Sequence, residues 1–148
     1  MDIREASIAE AVAVLCRIEE FAHPADAAAF TARLPATGAL ILIAEVAGEA
    51  VGVKIGYPLS SQCFYSWLGG VAPAGRQKGV AQALLEAQEA WAIAQGYDTL
   101  RVKSRNRFAA MLRLLLRNGY QIEDMEKKEG IKDYRLHFVK QLNESNSQ

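Results

Sequence analysis

The stretch Val71-Ala-Pro-Ala-Gly-Arg-Gln-Lys-Gly-Val-Ala81 holds residue types suited to gripping an anion. Gly75 and Gly79 let the backbone turn tightly and come close to a ligand. A strong helical pattern follows, from Gly79 to Gln95. The first amides of a helix have no acceptor within it and point outward. They lie at the positive end of the helix dipole, where Arg76 and Lys78 add charge. A phosphate or pyrophosphate is the ligand such a helix start binds. The spacing differs from two familiar phosphate loops. Lys78 precedes Gly79 and no Ser or Thr follows, so the G-x-x-x-x-G-K-S/T order fails, and G-x-G-x-x-G is absent. The same residues also make an ordinary glycine turn before a helix, and spacing alone leaves both readings open.

The elements around this loop are readable. Asp2–Ala6 opens as a strand. Ser7 and Glu10 form an S-x-x-E capping box. Val12, Leu15, Cys16 and Ile18 recur behind it at helical spacing, which predicts a helix over Ile8–Phe21. His23-Pro24 breaks it, and Asp26 caps a second helix over residues 27–34. Ala39–Val46 and Ala50–Tyr57, joined at Ala47-Gly48-Glu49, read as a hairpin. Gln62–Leu68 is a third strand, which Gly69-Gly70 ends at a bulge or a close backbone approach. In the Gly79–Gln95 helix, Val80, Leu84, Ala87, Trp91 and Ala94 share a stripe, and Gly96 stands where a C′ glycine belongs. Thr99–Lys103 is a strand. Arg107–Arg117 is a helix with the stripe Phe108, Met111, Leu112, Leu115, stopped by Gly119. Tyr120–Met125 and Asp133–Val139 are two last strands around a Glu126–Lys132 turn. The order βααβββαβαββ defines an α/β (α+β) fold, one mixed central sheet of about seven strands with four helices. Residues 1–142 are expected to form one domain, and Asn143–Gln148 a polar, disordered tail.

The segment Arg76-Gln77-Lys78-Gly79-Val80-Ala81 resembles the Q/R-x-x-G-x-G/A motif of the GNAT superfamily, the acetyl-CoA-dependent N-acetyltransferases. Val71 and Pro73 stand at the spacing many members show before it. Asn106, Ala109, Leu112 and Gly119-Tyr120 resemble the second signature, an Asn opening a helix that ends in Gly-Phe or Gly-Tyr. The element order is similar too, over residues 1–140 and most sharply over 64–120. The resemblance implies that the amides of Arg76, Gln77, Lys78, Gly79, Val80 and Ala81 hold the coenzyme pyrophosphate. It implies that pantetheine pairs with the strand edge from Leu68 to Val71 like an added strand, and that an amide there polarises the thioester carbonyl. Asn106 would bond the cofactor where the next strand diverges, or cap the helix after it.

Acid and base are less settled. Many members carry a Tyr four residues before the Gly of the Gly-Phe pair, as acid for the leaving thiolate; here Leu115 occupies that position. Relatives often place a Glu near where Tyr65 stands, and Tyr65 is a poor base at neutral pH. An acceptor ammonium must lose a proton before it attacks. Glu19, Glu20 and His23 are candidates, Glu19 foremost, with solvated helix-end residues the alternative; Tyr134 and His137 are further candidates. Tyr57, Tyr65 and Trp67 either shape an acceptor pocket or pack on the sheet. Two functions stay open. One is acetyl transfer from acetyl-CoA to a primary amine of a small molecule or peptide, by direct attack in a ternary complex and without a metal. The other is an acyl-CoA-binding regulatory or scaffold module. Cys63 has no sequence-linked His or acid that would make it an acyl carrier. The family fold also allows a homodimer.

Composition narrows the setting. The 148 residues are 51% apolar, too rich for a disordered chain, and long enough to fold without metal or disulfide. Cys16 and Cys63 read as free thiols of a reducing compartment. No signal peptide and no run near ~18 apolar residues is visible, so a cytoplasmic protein without membrane contact is expected. Seventeen basic residues balance seventeen acidic ones, which removes the footprint of a dedicated nucleic-acid binder. Arg101, Lys103, Arg105 and Arg107 lack the interleaved aromatics of a strand-binding groove. The balance hides a segregation along the chain. Residues 76–117 hold eight basic and three acidic groups, a net of +5, while the remainder holds nine basic and fourteen acidic, −5. A basic half suits a polyanionic coenzyme, and an acidic remainder suits a cationic amine.

Overall fold

The computed structural model describes residues 1–18 and 27–142. The elements are β1 (Asp2–Glu5), α1 (Ile8–Leu15), α2 (Ala27–Arg33), β2 (Leu40–Val46), β3 (Glu49–Pro58), β4 (Cys63–Val71), α3 (Val80–Ala94), β5 (Thr99–Arg105), α4 (Ala109–Arg117), β6 (Gln121–Glu126) and β7 (Arg135–Gln141). Short 3₁₀ turns cover Pro73–Gly75 and Ile131–Asp133. The seven strands form one sheet in the order β1-β2-β3-β4-β5-β7-β6. All neighbours are antiparallel except β4 and β5. That parallel pair needs a crossover, and α3 provides it. The expected mixed seven-stranded sheet with four helices is what the chain forms.

Alternation along the strands sorts the core into two layers. On one face Leu40, Leu42, Phe64, Leu100, Val102 and Phe138 pack against Val80, Leu84 and Leu85 of α3 and Leu114 and Leu115 of α4. On the other, Ile43, Val53 and Ile55 pack against Ala11, Val14, Leu15 and Ile18. The capping box at α1 is complete. Ser7 Oγ accepts from the Glu10 amide at 3.1 Å, and Glu10 Oε1 accepts from the Ser7 amide at 3.1 Å.

Several boundaries differ from the sequence reading. The first helix ends at Leu15 rather than Phe21, because the Arg17 and Ile18 amides tighten onto Val14 and Leu15 three residues back; residues 19–21 lie outside the described part. β4 does not stop at Gly69-Gly70. It runs on to Val71, since Gly69, Gly70 and Val71 pair with Lys54, Val53 and Gly52. The bulge falls earlier, where Leu68 pairs with Ile55 but Ser66 with Gly56, so Trp67 is the extra residue. α4 begins at Ala109, not Arg107, because the Asn106 and Arg107 amides donate to Tyr134 and Lys132 across the sheet. β7 begins at Arg135, since Asp133 is drawn into a turn by Arg107. In α3 the buried set is Val80, Leu84, Leu85, Gln88 and Ala92; Ala87 and Trp91 are half-buried and Ala94 is exposed. Gly96, with φ +93°, closes that helix as expected.

Candidate active site

The loop before α3 is anchored at its buried points and bare at its tip. Gly75 is buried against β3, where a Cβ would come within 2.6 Å of Val51 Cγ2, so only glycine fits. Val80 is buried at the first helical position. Arg76, Gln77, Lys78 and Gly79 between them are exposed, and Ala81 is half-buried. Arg76 Nε donates to the Val71 carbonyl at 3.2 Å, which ties the loop to the end of β4. Gly79 is the N-cap residue, at φ +75°. Gln77 also has a left-handed φ, +62°, a conformation costing a non-glycine residue roughly 1–2 kcal/mol. The first intrahelical bond runs from the Ala83 amide to Gly79 O at 3.0 Å. The amides before it are aimed out of the helix. No atom lies within 4 Å of a Cβ at Gly79, so the approach to them is open.

Beside this helix start the sheet divides. β4 pairs with β5 only from Cys63–Thr99 to Ser66–Val102. Beyond that, Leu68, Gly69, Gly70 and Val71 pair with β3 alone, while Lys103, Ser104 and Arg105 pair with β7 alone. The Trp67 bulge stands where the two strands part. A cleft therefore opens in mid-sheet, with the backbone edge of β4 on one wall, and it leads to the α3 N-terminus.

Asn106 stands at the end of the other wall. Its Nδ2 donates to the Ile131 carbonyl at 2.9 Å, and it does not cap α4, whose N-cap is Phe108. Asn106, Arg107, Ile131 and Lys132 line an open surface pocket there. Asp133 receives Arg107 Nε at 2.7 Å and Arg105 Nη1 at 3.5 Å, and Arg107 chiefly holds its carboxyl below the usual range. Of the expected cofactor residues, Leu68 and Val71 border the cleft, Arg76–Ala81 lie at its α3 end, and Asn106 follows the far strand.

The α1-side face carries the aromatic group. Tyr57 lies 5.4 Å from Tyr65 and 6.0 Å from Trp67, ring centre to ring centre. The Arg33 guanidinium sits 4.8 Å from the Trp67 ring centre, and its Nη2 donates to the Tyr57 hydroxyl at 3.0 Å. Lys103 Nζ lies over Tyr65. Burial first, then Tyr57, raises the Tyr65 phenol above its ordinary value, so it stays neutral at neutral pH. On β6 and β7, Glu126 and His137 are hydrogen-bonded to each other, and His137 chiefly holds Glu126 down at about 2. Tyr134 is half-buried, its carbonyl taken by the Asn106 amide. Glu19, Glu20 and His23 lie outside the described residues. Leu115 is 1% exposed within the α3-side core. Cys63 is buried, with Arg101 Nη1 3.2 Å from its sulfur, whereas Cys16 is exposed.

Sequence reasoning passed over Lys54. Lys54 lies in a strand whose periodicity does not say which faces are covered; β3 is covered on both, and Lys54 is buried. The Arg33 group was also hidden, because it joins α2 to two strands. Among the described residues no helix is long and apolar enough to cross a membrane, and no group of three or more His, Cys, Asp or Glu side chains is placed to hold a metal.

Comparison with known proteins gives these features a class. The model of the acetyltransferase (GNAT) family matches residues 8–120. The chain belongs to that family and is an acyltransferase. Among solved structures it is similar to Ard1 from Thermoplasma volcanium, with a TM-score of 0.80, 21% identity, and 95% of this chain and 96% of that one covered. It is similar to the ribosomal-protein-S18-alanine N-acetyltransferase from Escherichia coli, with a TM-score of 0.81, 17% identity, and 95% and 93% covered. A GNAT family acetyltransferase from Elizabethkingia anophelis with acetyl-CoA bound gives a TM-score of 0.76, 17% identity, and 95% and 97% covered. At these identities the likeness is one of fold. No curated protein matches by sequence.

Proposed function

We propose that this protein transfers the acetyl group of acetyl-CoA to a primary amine of a small molecule or peptide. The observation that carries the reading is the cleft where β4 parts from β5 at the Trp67 bulge and leads to the open, left-handed Gly79 at the α3 N-terminus. Family membership and the acetyl-CoA-bound structural neighbour support the same cosubstrate. The thioester supplies an activated acetyl group, and the chain supplies its seat. The amides of Arg76, Gln77, Lys78, Gly79, Val80 and Ala81 hold the pyrophosphate, with the helix dipole and Lys78 adding charge. The Leu68–Val71 edge pairs with pantetheine, and an amide beside the bulge polarises the carbonyl. Asn106 frames the far wall through the Ile131 turn.

The acceptor enters on the α1-side face. Tyr57, Tyr65, Trp67 and Arg33 form its floor beside the bulge. Tyr65, kept neutral, orients the amine by a hydrogen bond rather than taking its proton. Glu19 is the proposed base. The experiment is thiol release from acetyl-CoA against amines, polyamines, amino acids and peptides, with the acetylated product identified by mass spectrometry. At least one class is expected to turn over well above spontaneous hydrolysis. Coenzyme binding without turnover on any amine would instead favour a regulatory acyl-CoA-binding module.

A further inference from the structure

Lys54 lies in the middle of β3 and is only 7% exposed. No hydrogen bond or ion pair among the described residues reaches its ammonium; Glu89 on α3 acts on it at longer range. An ammonium on a residue this buried, with no direct partner, is costly, so its surroundings matter. Lys54 pairs with Gly69, within the β4 run that has parted from β5. A Cβ on Gly69 would lie 3.6 Å from Lys54 Nζ. The face is fixed by its neighbours. Gly52 and Gly56, two residues either side, point toward Val80 and Leu84 and toward Phe64. These side chains and Leu115 belong to the same α3-side core. Lys54 therefore brings a cationic group to the cleft from the face where α4 packs with Met111, Leu112, Leu114 and Leu115, all apolar.

We propose that the Lys54 ammonium ion-pairs with the thiolate of coenzyme A as it leaves, stabilising a leaving group that Leu115 cannot assist. This rests on the coenzyme reading above. The carbon–sulfur bond breaks with its electron pair on sulfur as the carbon–nitrogen bond forms, and the Lys54 ammonium, keeping its proton, balances the new charge. The proton the acceptor nitrogen loses leaves through the base to solvent, and the thiolate takes one from solvent on release. Burial pushes the Lys54 ammonium down to about 8, against the pull of Glu89. Glu89 itself is engaged by Tyr120 and Lys140. An ammonium near 8 is mostly protonated at neutral pH, so it can carry that charge.

The test needs no acceptor. Coenzyme A is bound to the protein and its thiolate absorbance is followed against pH. In the wild type the bound thiol is expected to ionise about one pH unit or more below the free thiol, because an ammonium lies beside it. Lys54→Met and Lys54→Gln are expected to abolish that shift. Both should bind desulfo-coenzyme A within about twofold of the wild type, since no other contact changes. Lys54→Met keeps the shape and removes an uncompensated charge, so its denaturation midpoint should not fall. A shift of equal size in the variants, or none in the wild type, overturns the proposal. If wild type and variants alike fail to bind coenzyme A, the coenzyme reading itself fails.

Discussion

Asp133 illustrates how single side chains hold this site's frame. It joins Arg107 and Arg105, at the end of β5, to the turn that Asn106 also grips. Its carboxyl is held below the usual range chiefly by Arg107. A carboxylate whose folded value is lowered contributes stability above its unfolded value, and that contribution is lost as pH falls. Glu126, held at about 2 by His137, has the same sign. The urea midpoint is expected to fall between about pH 5 and about pH 2, and Asp133→Asn should make that fall shallower. An unchanged pH slope in the variant would show that the pair does not couple to folding. At this scale the sequence was most informative where chemistry rides on the backbone. Gly75, Arg76 and Gly79 were legible because turn geometry and helix amides follow from local spacing. Lys54, Arg33 and the Glu126–His137 pair were not, because each depends on which element packs over which.

The elements place the anion-binding end of the cleft by close packing of α3 on β3. Gly52 is the point of contact: a Cβ there would lie 2.6 Å from Val80 Cγ1 and 3.0 Å from Leu84 Cδ1. Gly52→Ala is expected to push the first turn of α3 off the sheet and cost about 1–3 kcal/mol, measured by chemical denaturation. Calorimetry should register weaker coenzyme binding in the same variant. A variant as stable as the wild type would mean that the helix start is not seated through Gly52. Strand and helix identities were readable from periodicity, and the order of elements followed. The bulge was misplaced at Gly69-Gly70 because register between β3 and β4 decides it, and local composition does not contain that register. The start of α4 shifted for a similar reason: Asn106 and Arg107 are committed to the Ile131 turn across the sheet.

Over the whole molecule, the charge segregation of the sequence is partly undone by folding. Arg101 pairs with Glu123, Arg105 and Arg107 with Asp133, and Lys140 with Glu89, so acids and bases of the two segments meet across the boundary. The arginine pairs are exposed and add little stability individually; together these pairs bring two acids, Glu123 and Asp133, and one base, Lys140, so most of the +5 read from residues 76–117 remains. Within that basic segment the exposed Lys78 and the open amides of the α3 start are the features placed to receive an anion. The central claim is that the coenzyme lies in the mid-sheet cleft and ends on those amides. Backbone amide shifts in an NMR titration with coenzyme A test it most directly. The account predicts the largest changes at Leu68–Val71 and at Gln77–Gln82, with β1 and β2 unmoved. Changes centred elsewhere, with these two runs silent, would contradict it.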